Sequence, residues 1–355
     1  MKLTTTHIDW INIGLMLISA VAAYVLPFEV FLFSYAVLGP LHYLTEISWL
    51  HERKYFTTGA RDAIVLILLG VLLFGTSVII PKYFPPAENA SAQVKQTFQQ
   101  QLNQAGATII YLAFMGALAM TTFRTLGSKV LFMLAAGLFL VALLKVQVWV
   151  LFFIVFLPTL VHVFVFTAAF MLLGALKSRS VPGLIAFVLL LTIGATLLFY
   201  RPEVTTTVSE GVRSHYRFFV ELNRWLAQLF GQVWTEKDQA YQTQLGVALM
   251  RFIAFAYTYH YLNWFSKTSI IKWHQVNRIR LVVIAVLWLM AVFLYWWDYY
   301  YGFIALYTLS FLHVFLEFPL NWRCFIDLGR EVRGISQNGW ARQPVLKPSQ
   351  GSHST

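Results

Sequence analysis

The sequence has little charge and almost no cysteine. Only 12% of its 355 residues are charged, against about 25% in soluble domains, so an ordinary soluble domain is excluded. The single cysteine, Cys324, excludes an intramolecular disulfide and any metal site built on paired cysteines. With 59% hydrophobic residues and a mean hydropathy of +0.66, the composition predicts a polytopic membrane protein.

Long apolar segments determine the predicted fold class. A membrane-spanning helix takes roughly 20 apolar residues, and ten segments approach that length. We therefore expect an all-α, polytopic integral membrane helical bundle of about ten helices. Only Lys145 and Gln147 separate the fifth segment from the sixth. The segments cover residues 10–28, 30–50, 63–80, 106–123, 129–144, 148–173, 181–200, 244–265, 281–297 and 303–320.

The net charge of +11 follows this topology and gives no reason to expect a nucleic acid partner. Lysine and arginine are concentrated in alternate short connections, for example Arg53 and Lys54, whereas the other short connections are nearly bare. This bias predicts that both termini are cytoplasmic and that the basic ends meet anionic lipid head groups. The expected localisation is a multi-pass integral membrane protein, in the inner membrane if the source is bacterial.

The chain divides into a bundle and a short tail. Residues 1–335 are predicted to form the transmembrane bundle, and 336–355 a disordered, basic cytoplasmic tail. Two outer loops, 81–105 and 201–243, are longer than the rest. The first has the pattern of a separate polar helix. The second has an amphipathic helix beginning near Ser209, which lies on the membrane surface or forms a lid over the bundle. A further interfacial helix is expected after the last span.

Four histidines lie in four different apolar segments at a similar predicted depth. His42, His162, His260 and His313 fall about 12, 14, 16 and 10 residues into spans that all run from outside to inside. Ionisable side chains inside membrane helices are costly and usually mark a functional site. Imidazoles converging from several helices are typical of a metal or haem site, although each could instead be a histidine hydrogen-bonded between helices.

Two glutamates accompany these histidines. Glu46 and Glu317 each follow a histidine by four residues and therefore share its helix face. A carboxylate in that position can orient an imidazole through its N–H group or can itself bind a metal. We take both glutamates as candidate catalytic residues and the four histidines as candidate metal ligands.

Two segments also resemble a known family. Gly39-Pro40-Leu41-His42 followed by Glu46 resembles the Pro-His-Gly-x-x-Asp motif of the bacteriorhodopsin-related-protein family of β-carotene 15,15′-dioxygenases. Tyr259-His260 with the later Trp273-His274 resembles that family's paired-histidine segment. This sequence lacks the His-Gly pair, and its acidic residue is one position later. The resemblance implies an all-helical membrane enzyme whose histidines hold a non-haem iron that cleaves a carotenoid.

Four functional hypotheses follow. The leading one is a membrane enzyme with histidine-bound iron, or alternatively zinc, that oxidises or oxidatively cleaves an apolar lipid or isoprenoid. A haem b electron carrier would place histidine pairs at two depths. A proton-coupled transporter would use histidine and glutamate as relays between aqueous paths to both faces. A lipid-modifying transferase would instead use His51, Glu52 and His274 at the inner interface.

Overall fold

The computed structural model describes residues 5–59, 61–146, 148–204, 207–267 and 276–340. Within these ranges the secondary structure is helical, with no β-strand, in agreement with the predicted all-α class. The helices are α1 (Thr5–Val25), α2 (Pro27–Glu52), α3 (Asp62–Tyr83), α4 (Ala92–Thr122), α5 (Leu126–Leu143), α6 (Val148–Ser178), α7 (Val181–Phe199), α8 (Glu210–Tyr216), α9 (Val220–Leu229), α10 (Gln239–Gln242), α11 (Gln244–Ser266), α12 (Arg278–Trp297) and α13 (Tyr299–Asn338), with a 3₁₀ turn at Lys54–Phe56.

Nine of the helices in the described ranges are long and apolar enough to cross a membrane. The remaining predicted span, the eighth (244–265), forms helix α11 as expected but is less apolar. Seventeen of its 23 residues are buried, because α1, α2, α6, α7 and α9 pack around it. A helix enclosed by other helices meets little lipid, so its tyrosines and histidine do not lower stability as they would on a lipid-facing helix.

The peripheral helices carry broad apolar faces on the outside of the bundle. On α5, Leu131, Leu134 and Leu138 are 69%, 62% and 75% exposed. Monomeric soluble proteins rarely show contiguous apolar surfaces of this kind. These faces are compatible with a multi-pass membrane protein. The predicted division between the fifth and sixth spans is also found, since α5 ends at Leu143 and α6 begins at Val148; Gln147 lies outside the described residues.

Two predicted extra helices are parts of longer ones. The polar helix expected in loop 81–105 is the first part of α4, which begins after the N-cap Ser91 and continues without interruption to Thr122. The interfacial helix expected after the last span is likewise continuous with α13, a 40-residue helix. Pro319 does not end α13. The helix extends to Asn338, so the predicted tail begins within it, and residues 341–355 lie outside the described ranges.

Loop 201–243 forms a lid over the bundle, the second of its two predicted arrangements. Ser209 caps α8 as expected, its hydroxyl accepting from the backbone N–H of Val212 at 3.4 Å. The apolar side of α8 and α9 packs onto aromatic residues of α2. The ring centroids of Phe28 and Tyr216 lie 5.0 Å apart, and those of Phe31 and Phe219 4.9 Å apart. Burial against these aromatic rings is therefore preferred to lying flat on a membrane surface.

Distorted helical turns precede or contain two of the four histidines. A π-helical segment, Ser34–Leu38, comes just before His42, and a second one, Phe152–Phe166, contains both Pro158 and His162. Proline lacks the backbone N–H that an α-helix needs and crowds the preceding turn. Wider π-helical turns relieve that conflict and are frequent at functional sites. They set the direction from which these side chains enter the bundle.

Candidate metal centre

The structure brings together all four histidines predicted from the sequence. Their imidazoles form a closed ring in which neighbouring centroids are 4.7 Å (His42 and His260), 5.1 Å (His260 and His162), 5.0 Å (His162 and His313) and 5.4 Å (His313 and His42) apart. All four side chains are buried. We call these four residues the histidine cluster.

The Nε2 atoms of the cluster point at one another. Nε2 of His42 lies 3.1 Å from Nε2 of His260, and Nε2 of His162 lies 3.1 Å from Nε2 of His313. Ligand atoms of His42, His162 and His313 all lie within 4.8 Å of one another. Two nitrogens bound to one metal at about 2.1 Å would be roughly 3.0–3.4 Å apart in octahedral or tetrahedral geometry. The two pairs at 3.1 Å have that spacing. The group of ligand atoms close enough to share one ion within the described residues comprises His42, His162 and His313 and does not include His260.

Glu46 lies beside the ring nitrogen of His42 that faces the centre of the cluster. Its Oε2 is 3.0 Å from Nε2 of His42, the same nitrogen that faces His260. That oxygen is buried and makes no hydrogen bond within the described part of the chain. Buried polar atoms without a partner are rare and call for an explanation. A cation between the four Nε2 atoms would supply one, which makes Glu46 a candidate ligand.

Glu317 and Thr167 lie beside ring nitrogens that face away from the centre of the histidine cluster. The hydroxyl of Thr167 is hydrogen-bonded to Nδ1 of His260 at 2.8 Å. Oε2 of Glu317 is 3.1 Å from Nδ1 of His162, but neither atom makes a hydrogen bond within the described residues. In both imidazoles Nε2 is the atom directed at the cluster. Contacts to the far nitrogen fix the tautomer and the ring orientation of a metal-binding histidine. Sequence reasoning paired Glu317 with His313, four residues earlier, whereas the imidazole that its carboxylate approaches is that of His162 on another helix. It missed Thr167, which lies five residues after His162 on α6 and on a different helix from His260.

The charges of the site also fit a divalent cation. Glu46 and Glu317 are 2% and 3% exposed, and no Lys or Arg in the described residues forms an ion pair with either. Two unpaired carboxylates in an apolar interior are strongly unfavourable. A divalent ion held by four neutral imidazoles would balance them. Imidazole and carboxylate ligands suit iron and zinc better than soft copper(I).

Further aromatic contacts hold the ligand-bearing helices in place. Tyr43 stacks on His313 with centroids 4.2 Å apart and 24° between the planes. The indole N–H of Trp264 on α11 donates to the hydroxyl of Thr45 on α2 at 3.0 Å. These contacts cross from helix to helix at the depth of the cluster. The site therefore lies on packed helices and not on loops, which favours a precise geometry.

A cavity of about 400 Å³ reaches the cluster from the end of the bundle at which α2, α6 and α11 finish. We call it the inner cavity. Its deep end is lined by His42, His260, Glu46 and Glu317. Its volume lies within the range of small-molecule sites. A ligand in the inner cavity would touch both glutamates and two of the four histidines.

A second cavity of about 470 Å³ lies on the other side of the cluster, beneath the lid helix α9. None of the four histidines lines it. It ends at Pro158 and Ser310, which precede His162 and His313 by about one helical turn. Its walls are mainly aromatic and include Phe31, Tyr35, Phe219, Trp225, Tyr257 and Phe303. The inner cavity, and not this outer one, gives direct access to the cluster.

The geometry disfavours haem. Two imidazoles on opposite faces of one iron, each at about 2.1 Å, would place their nitrogens roughly 4 Å apart with the macrocycle between them. The Nε2 pairs at 3.1 Å are too close for that arrangement. The four rings also form one group at one depth, whereas the haem hypothesis predicts histidine pairs at two depths.

The residues of the transferase hypothesis do not form a site within the described ranges. His51 is exposed and its Nδ1 contacts the hydroxyl of Tyr55 at 3.1 Å. Glu52 forms an ion pair with Arg280 on α12. His274, with which they were expected to act, lies outside the described residues.

Comparison with known proteins gives no match: no family model, no curated protein and no solved structure is significantly similar to this chain. The resemblance to the β-carotene dioxygenase family therefore stays a prediction.

Proposed function

We propose that the protein is an integral-membrane metalloenzyme in which the histidine cluster binds one iron ion, with zinc as the alternative for the same ligands. The observation that carries this proposal is the convergence of four buried Nε2 atoms from four helices, in pairs 3.1 Å apart. Helix packing alone does not require four unlinked polar rings to meet in an apolar interior.

The residues around the cluster would have distinct roles. The histidines would hold the ion through Nε2, and Glu46 would add a carboxylate oxygen and neutralise charge. Glu317 would orient His162, and Thr167 would orient His260, each through Nδ1. Iron bound there would supply O₂ binding and one-electron redox chemistry.

The surroundings favour an apolar substrate. Trp49, Phe170 and Leu320 line the inner cavity between its mouth and the cluster. The site lies between α2, α6, α11 and α13, three of which are long and apolar enough to cross a membrane, so molecules that partition into a bilayer would reach it most readily. Oxidation or oxidative cleavage of a lipid or isoprenoid is the reaction class that fits both the ligands and the walls, and a carotenoid is one member of that class.

Metal analysis tests the proposal directly. The purified protein should contain about one equivalent of iron per chain, and His162→Ala should lose it. His51→Ala is the matched control, because His51 is exposed and outside the cluster, and it should keep the full metal content. A wild-type protein that stays metal-free after reconstitution with Fe(II) and Zn(II), while still folded, would overturn the proposal.

Proton-coupled transport is the second candidate function. The specific observation in its favour is that cavities approach the cluster from both sides, one ending at Glu46 and the other at Ser310. A transporter of this kind needs titratable histidines and glutamates but no metal. Proton uptake by metal-free protein in sealed vesicles, together with loss of that uptake in Glu317→Gln, would favour transport over catalysis.

A further inference from the structure

The mouth of the inner cavity is charged, although its walls are mostly apolar. Three cations and one carboxylate line it: Lys177, Lys267, Arg323 and Asp327. Lys177 and Asp327 form an ion pair at 2.6 Å. The mouth therefore carries an excess of two positive charges, contributed by Lys267 and Arg323.

These two cations are not neutralised by nearby acids. Within the described residues neither forms an ion pair closer than 4 Å. Burial lowers the pKa of the Lys267 ammonium, and the charge of Asp9, which forms no ion pair with it, raises that pKa in part. The hydroxyl of Ser180 donates to Asp9 at 2.5 Å. The guanidinium of Arg323 lies 5.8 Å from the ring centroid of Phe56, which also lines the cavity. Both cations are available to an anion at the mouth.

Cations at the inner end of membrane helices are common and usually contact lipid head groups. What distinguishes Lys267 and Arg323 is their position on the wall of a cavity that ends at the histidine cluster. From mouth to cluster the lining changes from cationic to apolar to histidine and carboxylate. A small polar anion would leave the apolar walls unmatched, and a plain hydrocarbon would leave the cations unmatched. An amphiphile matches both.

We propose that the inner cavity binds a single-chain amphiphile with an anionic head group, a carboxylate or a phosphate. The head group lies between Lys267 and Arg323, and the chain passes Trp49 and Trp264 toward His42 and His260. That this amphiphile is the substrate rests on the proposed function; its binding does not, because no contact with a metal is needed to hold the head group.

Quenching of tryptophan fluorescence tests the binding. Trp49 and Trp264 line the cavity, so a chain carrying bromine atoms should quench them. The full-length protein in a neutral sugar detergent is titrated with a dibrominated fatty acid, the alkyl phosphate of the same chain and the corresponding fatty alcohol. The double variant Trp49→Phe/Trp264→Phe gives the background from the other tryptophans.

We expect at least one of the two anionic ligands to bind about tenfold more tightly than the alcohol. The anionic ligand that binds more tightly, the carboxylate or the phosphate, identifies the head group. Arg323→Gln and Lys267→Gln should each weaken that ligand by roughly tenfold, the effect of losing one charge-assisted hydrogen bond, and leave the alcohol unchanged. Arg323 is exposed, so its replacement should not impair folding. Arg333→Gln, an exposed arginine on the same helix outside the cavity, is the matched control and should have no effect.

Equal binding of alcohol and anions, or anionic binding that ignores both substitutions, would overturn the inference. Metal content measured on the same samples separates it from the proposed function. Arg323→Gln should retain the metal and bind the amphiphile about tenfold more weakly, and His162→Ala should lose the metal and bind the amphiphile as the wild type does. Amphiphile binding by a protein that never takes up metal would leave the inference standing and remove the proposed function.

Discussion

The hydroxyls of Tyr43 and Tyr261 lie 2.8 Å apart, deep in the bundle. Each tyrosine directly follows a histidine of the cluster, His42 on α2 and His260 on α11, whose Nε2 atoms are themselves 3.1 Å apart. The two His-Tyr segments thus meet across one helix interface, histidine against histidine and tyrosine against tyrosine. The tyrosine pair joins the same two helices as the histidine pair, and it fixes their register where two candidate ligands approach each other.

This pairing predicts unequal effects of single and double substitutions. Tyr43→Phe leaves the buried hydroxyl of Tyr261 without this partner and should destabilise the protein by about 1–3 kcal/mol. Tyr261→Phe should do the same. The double variant should be destabilised by less than the sum of the two single variants, because neither tyrosine hydroxyl then remains without its tyrosine partner. The hydrogen bond between Tyr43 and Ser310 is lost equally in Tyr43→Phe and in the double variant. Thermal unfolding in detergent measures all three, and strict additivity would show that the two hydroxyls are not coupled.

The membrane topology can be tested at three connections. Reporters inserted at Gly59, which follows α2, and after Gly339, which follows α13, should report the same, cytoplasmic side. A reporter at Glu88, between α3 and α4, should report the opposite side. This follows from the distribution of lysine and arginine. Agreement of Glu88 with Gly59 would mean that α3 does not cross the membrane.

The sequence was sufficient to predict the helical class and the convergence of the four histidines, because both depend on strong local signals. Histidines such as His313 in an apolar segment are conspicuous, and a constant depth along parallel helices places them at one level. The spacing of four residues also identified Glu46 and Glu317. It did not distinguish their roles, since the ring nitrogen that each carboxylate faces depends on side-chain rotamers and not on spacing.

Features that depend on packing were not predictable in the same way. The choice between a lid and a surface helix for α8 and α9 depends on the aromatic residues of α2 that they cover, and the sequence alone does not show that contact. Thr167 has an ordinary sequence context, and only the packing of α6 against α11 brings its hydroxyl to His260. The continuity of α13 beyond residue 320 was also missed, because the apolar segment ends there and the amphipathic stretch that follows was taken as a separate interfacial helix.

One substitution tests whether the hydroxyl of Thr167 orients the imidazole of His260. Thr167→Val keeps the shape of the side chain but removes the hydroxyl that is 2.8 Å from Nδ1 of His260. Metal affinity should fall by about 10–100-fold, the usual effect of losing such a partner. Thr192→Val on α7 is the control: Thr192 is exposed, and its hydroxyl donates to the backbone carbonyl of Val188 at 2.9 Å and not to a histidine of the cluster. An unchanged affinity in Thr167→Val would mean that His260 is not a ligand or is held by its packing alone.

The two glutamates should respond differently to the same substitution. Glu317→Gln removes the negative charge beside Nδ1 of His162, the nitrogen that faces away from the cluster. Metal affinity should therefore drop by about 10–100-fold, while the residues that bind the metal stay the same. Glu46→Gln removes the carboxylate that lies 3.0 Å from the inward nitrogen of His42, so the loss should exceed 100-fold. In protein reconstituted with Co(II), the visible ligand-field spectrum should change in Glu46→Gln and be preserved in Glu317→Gln. Identical spectra in both variants and the wild type would show that Glu46 does not bind the metal and acts, like Glu317, only on the imidazole beside it.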